Sequence, residues 1–425
     1  AGVWVKSTTD LDIAFIQGGP VNIVSGGTLT QSGFINATNL SVTGSGSPII
    51  LTTQTNKVDG FQATNPGGSV TFKDATGGLV LGKSNVGQMT IYAAGPVTQS
   101  GAIAADNLTV AGTGFDPITL DTQDNDIGLF AASNHDAPVS IKDAAGDLDI
   151  GFIQGGPVSI SVAGGLTQSG FINATDLVLK GTGAGAITLD TQPNVVKTLQ
   201  ASNGVGNISF ASTKADPTAT GDLVIVGLDG KALSITAPGD ITQTGPITGE
   251  SINVVSTGAG VNLPLQTNLV NAVSGSAVKD FVFTNFTDLA AGPITVTGTN
   301  ANIILTSVSG DIDVVGNLTA PNLVSLNAPN GTFTLVPPNT ISANILSYTT
   351  STPPSYNPAD VPDTIAVNGN LTINKPGQSI TFGNFVTTGT ISITAGALTV
   401  NGPLVTTGAG KSVTLTAQTG GVDVV

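Results

Sequence analysis

The chain repeats itself, and that constrains the fold more than anything else in it. Leu29-Thr30-Gln31-Ser32-Gly33-Phe34-Ile35-Asn36-Ala37-Thr38 returns as Leu166-Thr167-Gln168-Ser169-Gly170-Phe171-Ile172-Asn173-Ala174-Thr175. Weaker copies begin at Val97 and Ile241, so the four copies recur about every 70 residues. A recurring period means one structural unit stacked on copies of itself. Such a chain is expected to build a rod.

Each long repeat has smaller parts. Ile118-Thr119-Leu120-Asp121-Thr122-Gln123 matches Ile187-Thr188-Leu189-Asp190-Thr191-Gln192, and Leu11, Leu79, Leu148 and Leu223 keep the long spacing. The steps Leu11 to Leu29, Leu29 to Gln54 and Gln54 to Leu79 predict three sub-units per repeat, each of roughly 18 to 25 residues. That length suits one coil of a parallel β-helix. Val21-Asn22-Ile23, Met89-Thr90-Ile91 and Val158-Ser159-Ile160 alternate apolar with polar, the period of a half-buried strand. Gly18-Gly19-Pro20, Gly95-Pro96 and Gly155-Gly156-Pro157 mark corners. The expected fold is all-β, a right-handed parallel β-helix. At about 22 residues per coil and about 4.8 Å per strand, it has roughly 19 coils and a length of about 90 Å.

Composition narrows the function. The chain has no cysteine and one histidine, and its net charge is −15. No thiol chemistry or disulfide framework is available. The negative charge argues against nucleic acid and against anionic membrane surfaces. No apolar run reaches the length of a transmembrane helix, so no membrane insertion is expected. The N-terminus opens in strand-like sequence without a signal peptide. The expectation is a processed mature form or a piece of a longer chain, exported to the outside of a bacterial cell.

Regularity defines the segments. Residues 1–336 read as the repetitive rod. Residues 337–363 carry six prolines and the tyrosines Tyr348 and Tyr356, and read as a protruding loop or linker. Residues 364–425 resume the strand pattern.

Candidate chemistry is sparse. His135 sits in a turn-like run beside Asp136 and has no histidine partner in the sequence, so it reads as a turn residue. Asp121, Asp124 and Asp126 cluster, and Asp147 and Asp149 alternate on a strand, as Asp10 and Asp12 do two repeats earlier. Such groups could bind calcium or form a glycosidase pair. Their recurrence in alternate repeats reads instead as solvated surface. Gln31, Gln99, Gln168 and Gln243 are equivalent, and a corner role is favoured over a ligand-binding polar row. Nine Asn-X-Ser/Thr sequons leave glycosylation open. No catalytic, cofactor or metal residues are expected, nor an enzyme.

Gly/Thr/Asn/Val-rich repeats of about 20 residues, acidic and free of cysteine, resemble the filamentous-haemagglutinin class of secreted bacterial β-helix proteins. The resemblance implies a right-handed parallel β-helix at the cell surface, in adhesion or fibre formation. Ala320-Pro321-Asn322-Leu323 and Ala328-Pro329-Asn330-Gly331 are similar to motifs of that family's secretion domain. They differ at the first residue and lie far from the N-terminus, so that role is not assigned. The expected function is a structural β-solenoid, a surface-fibre subunit or adhesin stalk. Its ends, Val3-Trp4-Val5 and Val422 with Val424, are strand-like and are expected to stack on other copies or on flanking repeats of a longer chain. The alternative is an adhesin module that binds glycans or proteins, on a host or neighbouring cell surface, through protruding loops, with Tyr348, Pro353, Pro354 and Tyr356 as the candidate binding loop. A polysaccharide-active enzyme stands behind both.

Overall fold

The computed structural model describes residues 2–215, 218–336, 338–343, 345–350, 365–367, 370–382, 385–400 and 402–424. It divides into two compact units, Ala1–Thr213 and Lys214–Val425. The described regular structure is all strand, paired in parallel and stacked coil on coil as a β-solenoid.

In the first unit, inward apolar residues climb two ladders. One runs Val3, Val21, Leu40, Phe61 and Leu81. From the strand Leu79–Leu81 it continues through Val97, Ile118, Val139, Val158, Leu177 and Leu199. Ten steps carry the chain from Val3 to Leu199, which is about 20 residues per coil. The second ladder begins Leu11, Leu29, Ile49. It goes on through Val70, Met89, Leu108, Phe130 and Ile150. Ile49 and Val70 are one coil apart, as their equivalents Ile118 and Val139 are, which pair directly.

The two ladders correct the expected coil. Leu11 and the strand holding Leu148 lie on the second ladder, seven coils apart, whereas Leu79 lies on the first. One long repeat is therefore three and a half coils of about 20 residues each, rather than three longer ones. Successive repeats present the same motif on opposite sides of the solenoid. Only every second repeat returns to the same side, as Leu148 does to the side of Leu11. The motif spacing taken along the sequence mixed the two ladders, and so overestimated the coil.

Burial follows the alternation. Strand Val139–Asp143 buries Val139, Ile141 and Asp143 and leaves Ser140 and Lys142 half-exposed. Leu29, Ile35, Leu79, Leu108, Leu148 and Ile172 are completely enclosed. Each such side chain contributes about 1.5–3 kcal/mol. Phe61 and Phe72 stack at 4.3 Å between adjacent inner faces.

The second unit repeats the plan with slightly longer coils. Its ladder runs Leu223, Ile241, Val261, Phe281, Ile303, Val324, Leu346, Leu371, Ile391 and Val413. This ladder passes through the segment expected to be a loop. That segment holds strand Ile341–Ser342, which pairs with Leu318–Thr319, and strand Ile345–Thr350, which pairs with Leu323–Ala328 on one edge and with residues 370–372 on the other. Residues 351–364 lie outside the described residues.

Corners bring successive coils too close for side chains. A Cβ on Gly170 would lie 1.6 Å from the carbonyl oxygen of Gly151, and one on Gly33 would lie 1.4 Å from that of Ala14. Gly146 differs: it has a φ of +70° and nothing near its missing Cβ. Gly170→Ala is expected to cost about 3 kcal/mol or more through backbone displacement. Gly146→Ala is expected to cost about 1 kcal/mol, from left-handed strain alone. Urea unfolding of the two variants checks the order, and equal costs would refute the steric account.

Candidate functional site

The equivalent glutamines do not form an exposed row. Gln31, Gln99 and Gln168 are buried, and each exchanges two hydrogen bonds with a buried asparagine one coil on: Asn56, Asn125 and Asn194. Gln243 and Asn268 form the same pair in the second unit. The asparagine oxygen also accepts the backbone N–H of Ile35, Ile103, Ile172 or Ile247. Its nitrogen donates to carbonyls on its own coil and the next, as Asn125 does to Leu120 and Lys142 at 2.9 Å each. The glutamine nitrogen also donates to the carbonyl two residues further on, that of Gly33, Gly101, Gly170 or Gly245. The corner role expected for Thr-Gln-Ser-Gly is real, and its glutamine turns inward to perform it.

Two acids are buried. Asp74 and Asp143 each accept a backbone N–H, from Val58 at 2.9 Å and Ile127 at 2.8 Å, while each Oδ2 has no hydrogen-bond partner. Burial pushes both carboxyls up from 3.8 to about 6, against the opposing backbone hydrogen bonds. The corresponding residues further along are neutral. Ser212 stands opposite Asn194 as Asp143 stands opposite Asn125, one long repeat earlier. Asn285 accepts the Val270 N–H and donates to the carbonyls of Val270, Thr287 and Asp288.

Acids at the surface cap the corners, Asp10 and Asp147 exposed, Asp240 and Asp311 half-buried. Asp10 accepts the N–H of Thr28, Asp147 that of Gly165, Asp240 that of Gly260, and Asp311 that of Thr332, each one coil on at 2.6–2.7 Å. The expectation that these acids are simply solvated is corrected: Asp10 and Asp147 bond one coil to the next. Asp121, Asp124 and Asp126 are exposed, and Asp124 pairs with Lys142. Among the described residues, no group of three or more potential ligands could hold a metal ion. His135 sits at a turn with φ +42°, closed by the Ala137 N–H on Asn134, and its ring lies 5.3 Å from that of Phe115. Of the sequons, Asn285 is fully enclosed and cannot accept a glycan.

The other expected sites fall as follows. Trp4 is 79% exposed on strand Val3–Ser7, with Val3 and Val5 half-buried. Val422 and Val424 are exposed on strand Val422–Val424, which pairs with residues 398–400. Tyr348 lies on the paired strand Ile345–Thr350, opposite Leu326. Pro353, Pro354 and Tyr356 lie outside the described residues.

A surface cluster emerges that the residue-by-residue reading missed. Phe15 and Phe34, on adjacent coils of the first unit, meet edge to face at 4.7 Å and remain 53% and 43% exposed. Beside them Asp12 accepts the hydroxyls of Thr30 and Ser32, and Gln17 lies opposite Asn36. The set recurs two long repeats on. Phe152 and Phe171 are 6.2 Å apart, Asp149 accepts Thr167 and Ser169, and Gln154 lies opposite Asn173. The available signal was the separation of the two phenylalanines by one coil, the same from Phe15 to Phe34 as from Phe152 to Phe171.

Fold and site together define a parallel β-solenoid repeat protein. Residues 67–132 and 137–203 match a family described as repeats of unknown function (DUF5649). Each matched stretch is about one long repeat, and the two face opposite sides of the first unit. No curated protein and no solved structure matches the chain.

The buried acids set a pH dependence. Their folded pKa lies above the unfolded one, so the folded state holds more protons between about 4 and 6. Their contribution is complete below the unfolded value and is lost as pH rises through about 6. Asp143→Asn is therefore expected to stabilise the protein at pH 7 by about 2 kcal/mol, and not at pH 4. Denaturation midpoints at the two pH values check this, and a variant equally stabilised at both would refute it. Asn125→Ala strands two carbonyls and an N–H, and should cost at least about 3 kcal/mol at either pH.

Proposed function

We propose that this chain is a structural β-solenoid, a subunit of a cell-surface fibre or the stalk of a large adhesin, working outside the cell. The observation that carries this reading is where the polar groups go. The buried amides, the corner acids and the backbone ladders all bond one coil to the next. Such cross-bonding supports a stiff, extendable element. The edge of strand Val3–Ser7 away from residues 21–25 has no strand partner among the described residues, and Trp4 stands out beside it. Such an edge accepts a further strand, from another copy or from more of the same polypeptide.

Negative-stain electron microscopy of the purified chain across a concentration series tests the joining. End-to-end strings that lengthen with concentration are expected, and Trp4→Lys should shorten them. Separate particles at every concentration would overturn self-assembly and leave the stalk of a longer chain.

A further inference from the structure

The first unit carries the same surface set twice: Asp12, Phe15, Gln17, Ser32, Phe34 and Asn36, then Asp149, Phe152, Gln154, Ser169, Phe171 and Asn173, with Phe152 half-buried where Phe15 is exposed. Three observations separate it from a by-product of the repeat. First, the two clusters face the same side, seven coils apart, which is about 34 Å at the spacing of stacked strands. Second, the intervening repeat faces the other side and keeps the inward residues Leu79, Leu81, Gln99 and Ile103. It replaces the outward set with Val80, Lys83, Asn85, Ser100, Ala102 and Ala104, so that only the serine survives. The fold does not need the rings. Third, residues 10–38 and 147–175 differ at six positions, and none of these belongs to the cluster. Five fall between 22 and 28, and the sixth is Ala14 against Gly151.

The chemistry of the cluster selects a ligand. The ring pair offers an apolar face, through both rings in the first cluster and mainly through Phe171 in the second. The amides of Gln17 and Asn36 donate and accept together. The hydroxyls of Thr30 and Ser32 donate to Asp12, and a donating hydroxyl keeps lone pairs with which to accept. Ring faces against C–H surfaces, with amides and a carboxylate for hydroxyls, are complementary to a sugar. The carboxylate in each cluster and the net charge of −15 disfavour a polyanion. Two sites of the same composition on one side suit a ligand that repeats along its own length.

We propose that this side of the first unit binds a neutral polysaccharide, engaged at both clusters by one chain. The proposal does not depend on end-to-end joining. Bivalent engagement makes a definite demand: losing one cluster should weaken binding far more than halving the number of sites would.

Affinity electrophoresis of the full chain tests it, in native gels cast with hydroxyethylcellulose, galactomannan or laminarin, and with polygalacturonate as the anionic control. Retardation is expected in at least one neutral gel and not in polygalacturonate. Phe34→Ala or Phe171→Ala alone should weaken it at least tenfold, and the double variant should abolish it. Both rings are surface groups, so circular dichroism should show the variants folded. No retardation in any neutral gel would overturn the proposal, as would retardation that the double variant retains or that appears only in polygalacturonate. Sedimentation velocity without polysaccharide supplies a further refutation: association of copies that the double variant abolishes would make this side an interface between copies.

Discussion

A chain wound in coils must satisfy, at every corner, backbone groups that the ladders cannot reach. Along the straight faces each N–H and C=O meets the coil above or below. Where the chain turns inward past the apolar stripe, neither a strand nor water is in reach, and an unpaired group there is costly. In this protein the deficit is met from inside, by one glutamine and one asparagine locked together across adjacent coils. Four such pairs occur among the described residues, from Gln31–Asn56 to Gln243–Asn268. Each pair joins two corners, so the turning points of neighbouring coils are fixed to one another as firmly as their strands. A half-satisfied network of this kind would be worse than an apolar core.

The overall architecture was readable because its causes are periodic. Alternation in Val21-Asn22-Ile23, glycine at the corners and the long spacing all point to stacked coils, and the structure has them. The amide network was hidden by polarity itself. Thr-Gln-Ser-Gly looks like a surface turn. Only the recurrence of Asn56, Asn125 and Asn194 in step with the glutamines, each one coil further on, signals otherwise. The coil length was misjudged for a related reason: Leu11 and Leu79 match in sequence but stand on different ladders. Phe15 and Phe34 were visible as repeated letters. Their meeting depends on the register that sets Ile16 opposite Ile35 and Gln17 opposite Asn36, which motif spacing alone does not yield.

Acidity also has a structural meaning. Asp10, Asp147, Asp240 and Asp311 each take a backbone N–H from the next coil, so these four of the chain's 27 acids are tied to corner geometry and are not free to be rearranged. Asp74 and Asp143 are the opposite case, carboxyls placed where a neutral group would serve better, as Ser212 and Asn285 do at the corresponding positions.

The three-and-a-half-coil repeat gives the first unit a parity. Removing one long repeat would leave every strand a partner, since the two ladders carry equivalent motifs, yet all surface features beyond the cut would swing to the far side. Removing two would restore them. A lineage that lengthens or shortens such a chain is therefore free to do so one repeat at a time as far as folding is concerned. It is held to even numbers of repeats wherever something outside the solenoid reads one of its sides.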